Sequence, residues 1–135
     1  LLFKENRFTE GSSSNVFGES FDQYGKNFDS NNSYKIFGTC INYLIDEGIY
    51  EIPNYIKIDV DGIEHLILLG ALNILQKTKE VLIEVNDNFK LQSDTCINTL
   101  AKLGFSLSSK KHSEMIENSN NDFNKTYNQI WKKSS

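Results

Sequence analysis

Apolar positions along the chain follow two rhythms. Ile63, Leu66, Ile67, Gly70, Ala71, Ile74 and Leu75 recur at three- and four-residue intervals, which predicts one amphipathic helix running to about Leu75. On either side stand short apolar runs, Tyr55 to Val60 and Val81 to Val85, of the kind a strand buried on both faces of a parallel sheet requires. The order strand, helix, strand predicts a unit whose two strands run parallel with a right-handed crossover. Upstream, Tyr34 to Gly38 reads as a strand and Ile41, Leu44 and Ile45 as a helix that Thr39 caps and Gly48 stops, before Pro53 breaks the chain. Downstream, Ile97, Leu100 and Leu103 mark a helix capped by Ser93 or Asp94, with Gly104 where a left-handed residue is wanted after its end. Phe105 to Ser109 and Tyr127 to Lys132 read as two strands, able to pair antiparallel across a polar, Asn-rich loop around Ser113 to Asn124.

The first third lacks either rhythm. From Lys4 to Ser33 the chain is rich in Gly, Ser and Asn, with Phe8, Phe17, Phe21 and Phe28 unevenly spaced, and an extended surface segment pinned by aromatics is expected. Leu1-Leu2-Phe3 resembles the end of a buried strand, so a further N-terminal portion is expected before it. At 135 residues, 39% hydrophobic, the chain suits a single domain over 1–135, with an irregular lead-in over 1–33 and a strand and helix core over 34–132.

Charge and cysteine content narrow the function classes. A formal charge of -4 offers no basic field for nucleic acid or an anionic membrane surface. No apolar run reaches the roughly 20 residues that span a bilayer. Cys40 and Cys96 lack any paired spacing and read as reduced core thiols of a cytoplasmic protein. Small polar substrates remain as partners. Trp131 and the phenylalanines read as core or strand-face packing, and Asp46, Glu47, Asp87 and Asp122 as solvated charges.

The candidate chemistry sits where the central strand meets the long helix. Asp59, Asp61, Glu64 and His65 follow that strand, and the crevice beyond the carboxyl ends of strands is where open α/β sheets bind ligands. Glu84 and Asn86 end the neighbouring strand, so they are expected to border the same crevice. Paired carboxylates hold a divalent ion, orient a hydroxyl, or share a proton so that one acts as a base near neutral pH. His65 is a candidate acid or base facing substrate. The structural alternatives are that Asp61 is a helix cap, Glu64 a first-turn residue favoured by the helix dipole, His65 a structurally bonded ring, and Asp59 the ion-pair partner of Lys57.

The stretch Tyr55-Ile56-Lys57-Ile58-Asp59-Val60-Asp61-Gly62-Ile63-Glu64, then Leu68-Leu69-Gly70-Ala71, then Val81-Leu82-Ile83-Glu84-Val85 resembles the central signature of FkbM-type methyltransferases. Asn128-Gln129-Ile130-Trp131 resembles the family's closing strand, so the likeness covers about residues 34–132. It implies the Rossmann-like class I methyltransferase sheet, three-layer αβα with parallel strands and a C-terminal antiparallel strand, and S-adenosylmethionine as cofactor. The acceptor it implies is a small-molecule or glycan hydroxyl.

The family's glycine-rich cofactor motif is not found among these residues and is expected upstream of residue 1, and Asn42 stands where the family usually has Asp. The expected object is therefore the distal half of a methyltransferase, unable to act alone, whose open sheet edge is covered by an upstream segment or a second copy. On this reading Asp59 is the base or orienter and Asp61 its partner, both beside the transferable methyl, with Glu64 as a clamp, His65 as an acid or base, and Glu84 and Asn86 as substrate-binding walls. Two other readings remain, a metal-dependent glycosyltransferase using Asp59-Val60-Asp61 and a non-catalytic interaction remnant.

Overall fold

A computed structural model of the chain describes residues 1–5, 15–30, 32–112 and 125–133. Its core is a four-stranded sheet in the order β4-β5-β7-β6, formed by β4 (Tyr55–Ile58), β5 (Glu80–Asn86), β6 (Phe105–Lys111) and β7 (Thr126–Lys133). β4 and β5 are parallel, with Ile56 opposite Val81 and Ile58 opposite Ile83. β7 lies antiparallel between β5 and β6, so three strands share one direction and β7 alone opposes them. The fold is mixed α/β, with the expected strand, helix, strand unit and the expected antiparallel pairing of the last two strands. The loop expected over 113–124, together with Asp122, and Phe8 in the lead-in lie outside the described residues.

The core explains which apolar runs became strands. Val81, Ile83 and Val85 alternate along β5 and are fully buried, so they occupy one face of it. They share one cluster with Leu68, Ala71 and Leu75 from the segment after β4, Cys96 and Leu100 from the next helix, and Ile58, Phe105 and Trp131 from the other strands. Burying each such aliphatic side chain contributes about 1.5–3 kcal/mol. Ile41 of α1 (Ile41–Asp46) packs on the same cluster, so the described helices line a single face. Among the described residues the helices and the four-stranded sheet form two layers. The other face carries Tyr55 and Lys57, both exposed, and the half-buried Leu82, Glu84, Asn128 and Ile130.

Several boundaries differ from those the pattern predicts. β4 stops at Ile58, has only Ile58 buried and among the described residues is an edge strand, so it is not enclosed on both faces as its apolar composition suggested. The predicted single helix is two short ones, α2 (Glu64–Leu69) and α3 (Leu72–Leu75), interrupted at Gly70 and Ala71. The next helix, α4 (Lys90–Lys102), begins at Lys90, so Ser93 lies buried inside it and neither Ser93 nor Asp94 caps it. Gly104 follows it with φ +84, the predicted left-handed residue. Thr39 does not cap α1, whose N-cap is Cys40. Cys96 is buried as expected, and burial, then Glu64, raises its thiol pKa to about 12; Cys40 is exposed, against the expectation of a core thiol.

The lead-in is more regular than its composition implies. β1 (Leu2–Glu5) sits between β2 (Val16–Phe17) and β3 (Asn32–Lys35), antiparallel to both, with the Phe3 ring against Phe17 and Tyr34. Leu1 and Leu2 are exposed, so β1 is the middle strand of a small separate sheet and not the end of a buried strand. The strand expected over Tyr34 to Gly38 before the first helix is β3, Asn32–Lys35, which pairs with β1. Phe37 is exposed, an exception to the expectation that the phenylalanines pack.

Candidate functional site

The turn after β4 is shaped by one carboxylate. Glu64 begins α2 and is buried, and its side chain accepts the backbone N–H of Val60 at 3.1 Å and of Gly62 at 3.1 Å. Folding back in this way requires left-handed backbone at two successive residues, Asp61 with φ +49 and Gly62 with φ +108. Aspartate is among the few side chains that tolerate such a φ, and Gly62 has no Cβ to clash. The N-cap of α2 is Ile63, so Asp61 is not the helix cap that its position suggested. The tight turn instead turns Asp61 toward the end of β5.

A second tie fixes that end. The Gln92 side-chain amide donates to Glu64, while its oxygen accepts the Asn86 backbone N–H at 2.8 Å. Asn86 in turn accepts the Asn88 N–H at 2.9 Å through its own side chain, which starts the turn into α4. Glu64, Gln92 and Asn86 are all buried, and buried polar groups are retained at low cost only when bonded in this way. Gln92 was not among the residues the pattern singled out. It occupies the apolar stripe of Phe89, Cys96, Leu100 and Leu103 on α4, and a glutamine on such a stripe is the signal that would have found it.

Asp61, Gly62, Glu64, Glu84, Asn86 and Gln92, with Gln23 and Thr126, enclose a polar cavity of about 30 Å³ at the carboxyl ends of β4 and β5. Four of the six candidate residues, Asp61, Glu64, Glu84 and Asn86, therefore converge. Burial raises the pKa of Glu84 to about 7, helped by the charges of Asp59, Glu64 and Asp61 and opposed by Lys57. Asp61 is raised for the same reasons, burial first and then Glu64 and Asp59. A carboxyl group half-protonated near neutral pH, beside a second reluctant to ionise, is the arrangement a general base uses.

No protein-family model, curated protein or solved structure matches the chain.

The other two candidates lie apart from the cavity. Asp59 is exposed and pairs with Lys57 at 2.8 Å, the structural partnership that two residues on one side of a strand allow. His65 is buried between the rings of Phe21 and Phe89, with centroid separations of 6.2 and 5.8 Å. Burial lowers its pKa against the pull of Glu64, Glu19 and a hydrogen bond with the Gly62 backbone, and its Nδ1 has no hydrogen-bond partner among the described residues. It packs as an aromatic ring. Among the described residues no three His, Cys, Asp or Glu side chains stand close enough together to hold a metal ion.

A larger apolar groove of about 760 Å³ runs along β4, between Ile41 and Leu44 of α1, Ile63 and Ile67 around α2, and Phe17 of β2. Among the described residues β4 pairs only with β5, and the groove follows its other edge. No helix of the described residues is long and apolar enough to cross a membrane.

Proposed function

We propose that the chain is the substrate-side part of an FkbM-type, S-adenosylmethionine-dependent methyltransferase that methylates a hydroxyl on a sugar or small molecule. The observation that carries this reading is the placement of Glu84, with a pKa of about 7, beside Asp61 at the carboxyl ends of two parallel strands. The parallel strands with one antiparallel strand inserted near the end of the sheet support the same reading.

Glu84 is the group best suited to take the proton from an acceptor hydroxyl, since its pKa lies near neutrality and its carboxylate faces the cavity. Asp61 orients that hydroxyl and raises the proton affinity of Glu84 by its charge. Glu64 and Gln92 hold the turn so that both carboxylates stay in place. S-adenosylmethionine, when bound, supplies the electrophilic methyl group. The carboxylates suit its sulfonium charge, whereas a cavity of about 30 Å³ holds none of its nucleoside, and the residues that would hold the nucleoside are expected in the glycine-rich motif upstream of Leu1.

The reading is tested by calorimetric titration of S-adenosylhomocysteine into the chain and into its form extended upstream of Leu1, followed by methylation of sugar hydroxyls. The expected result is binding by the extended form and a loss of methyl transfer of roughly 10²–10⁴-fold in Glu84→Gln, the usual contribution of a positioned base. Binding to neither form overturns it. A non-catalytic interaction module is the second reading, favoured by the apolar groove along the free edge of β4, since such an edge is a template for another chain. The Asp59-Val60-Asp61 metal site of a glycosyltransferase is not favoured, because Asp59 is engaged with Lys57 and only Asp61 lines the cavity.

A further inference from the structure

The segment that follows β2 closes on itself before it reaches the core. Phe28 donates its N–H to the Ser20 carbonyl at 2.8 Å, Asp22 to that of Lys26 at 2.8 Å, and Gly25 to that of Asp22 at 2.9 Å. The Asp22 carboxylate accepts the N–H groups of Tyr24 and Lys26, each at 2.9 Å, and Phe21 bridges to Asn27. These bonds make 20–28 a self-supporting hairpin-like unit, able to move without losing its internal structure.

Its attachments to the core are of another kind. The Phe21 ring meets Phe89 edge-on at 5.3 Å and lies beside His65. The Asp22 and Gln23 backbone lies so close on Gly62 that a Cβ there would stand 2.8 Å from the Gln23 Cα. Gln23 forms one wall of the carboxylate cavity. About 30 Å³ is the space of roughly one water, and Glu84 is only half-buried, so Gln23 narrows the way to the carboxylates without sealing it.

We infer that residues 20–28 are a lid over the carboxylate cavity, latched by Phe21 against His65 and Phe89, and that its swinging away widens the path of a hydroxyl-bearing acceptor to Glu84. The last clause rests on the methyltransferase reading; the lid and its latch do not. Ring packing and two close backbone approaches, of Gln23 to Gly62 and of Gly25 to the Phe89 ring, suit such a device, since they hold a loop in place yet release it as a unit. His65 is a positioning residue here. It acts by fixing Phe21 and through its hydrogen bond with the Gly62 backbone, while its buried ring, with Nδ1 unbonded, packs among the neighbouring phenyl groups.

The lid is read on the whole chain without substrate, by labelling carboxylates with a carbodiimide and glycine ethyl ester and by amide hydrogen exchange. In Phe21→Ala the labelling of Glu84 is expected to rise by up to roughly tenfold for each of the two ring pairings that the truncation removes, and exchange at Gly62 to rise with it, while the β5 and β7 amides stay protected. Unchanged labelling of Glu84 in Phe21→Ala, with β5 and β7 still protected, overturns the lid. If Phe21→Ala loosens the whole molecule, Phe21→Leu decides in the same way, because it weakens the ring packing while filling most of the space. Because the readout needs no cofactor, failure of the lid and failure of the methyltransferase reading are seen separately.

Discussion

Glu64 and Gln92 meet through a side-chain hydrogen bond in the interior, and this bond joins the turn after β4 to the end of β5. Glu64 also accepts two backbone N–H groups of the turn. Glu64→Ala leaves the buried Gly62 and Gln92 donors, and the half-buried Val60 N–H, without an acceptor, each buried donor at a cost of about 1–3 kcal/mol, so a loss of roughly 3 kcal/mol or more is expected in urea unfolding. A double-mutant cycle with Gln92→Ala is expected to give a coupling of about 0.5–3 kcal/mol; additivity would show that the two residues act independently.

Glu84 sets a pH dependence of known sign. Its folded pKa of about 7 lies above its unfolded value, so the folded state binds the extra proton between about pH 4.5 and pH 7. The stabilisation is therefore full below the unfolded pKa and is lost as pH rises through about 7. Asp61, also raised, acts in the same direction. His65, whose lowered pKa acts in the opposite direction, contributes alike to both proteins, so from pH 5 to pH 8 the denaturant midpoint of the native chain is expected to drop relative to that of Glu84→Gln, with Glu84→Gln the more stable of the two at pH 8. Parallel curves would show that Glu84 is solvated in the folded state.

Asp59→Asn separates the exposed carboxylate from the enclosed one. The Lys57 to Asp59 pair is exposed on both sides, where solvent and salt screen the attraction. The urea midpoint is thus expected to stay close to that of the native chain. In the methylation assay Asp59→Asn is expected to retain far more activity than Glu84→Gln. The reverse order would return the role of base to Asp59.

Gly62→Ala combines two penalties. Its φ of +108 is one that a side chain rarely adopts, at a cost of order 1–3 kcal/mol, and the added methyl would press on Asp22 and Gln23. The variant is expected to unfold at lower urea and to show faster exchange in 20–28 than in α4. Equal acceleration throughout would mean that the strain spreads beyond the lid.

The apolar rhythm and the identity of a few residues determined much of this protein in advance. Val81 to Val85 lacks all but one polar interruption and belongs to the most buried strand, because enough adjacent branched side chains can be covered on a central strand wherever the rest of the chain lies. The parallel pairing of the strands around Ile58 and Ile83, the antiparallel closing pair and Gly104 after α4 were legible for the same reason, since each depends on near neighbours. That Glu84 and Asn86 border the turn carrying Asp61 followed from the alignment of parallel strand ends. What the sequence left open depends on packing between segments far apart along the chain. Tyr55 to Ile58 is as apolar as a central strand yet lies at an edge, because enclosure is set by which strands pair and not by composition. Asp59 and Asp61, two residues apart, part company because Glu64 bends the backbone between β4 and α2. Gln92, remote from the acidic turn in sequence, completes it. His65 becomes a packing ring because Phe21 and Phe89 close over it. Local sequence sets propensity and period, whereas the burial of a carboxylate, and with it the pKa on which chemistry at this site depends, is decided only when distant segments have excluded water from it.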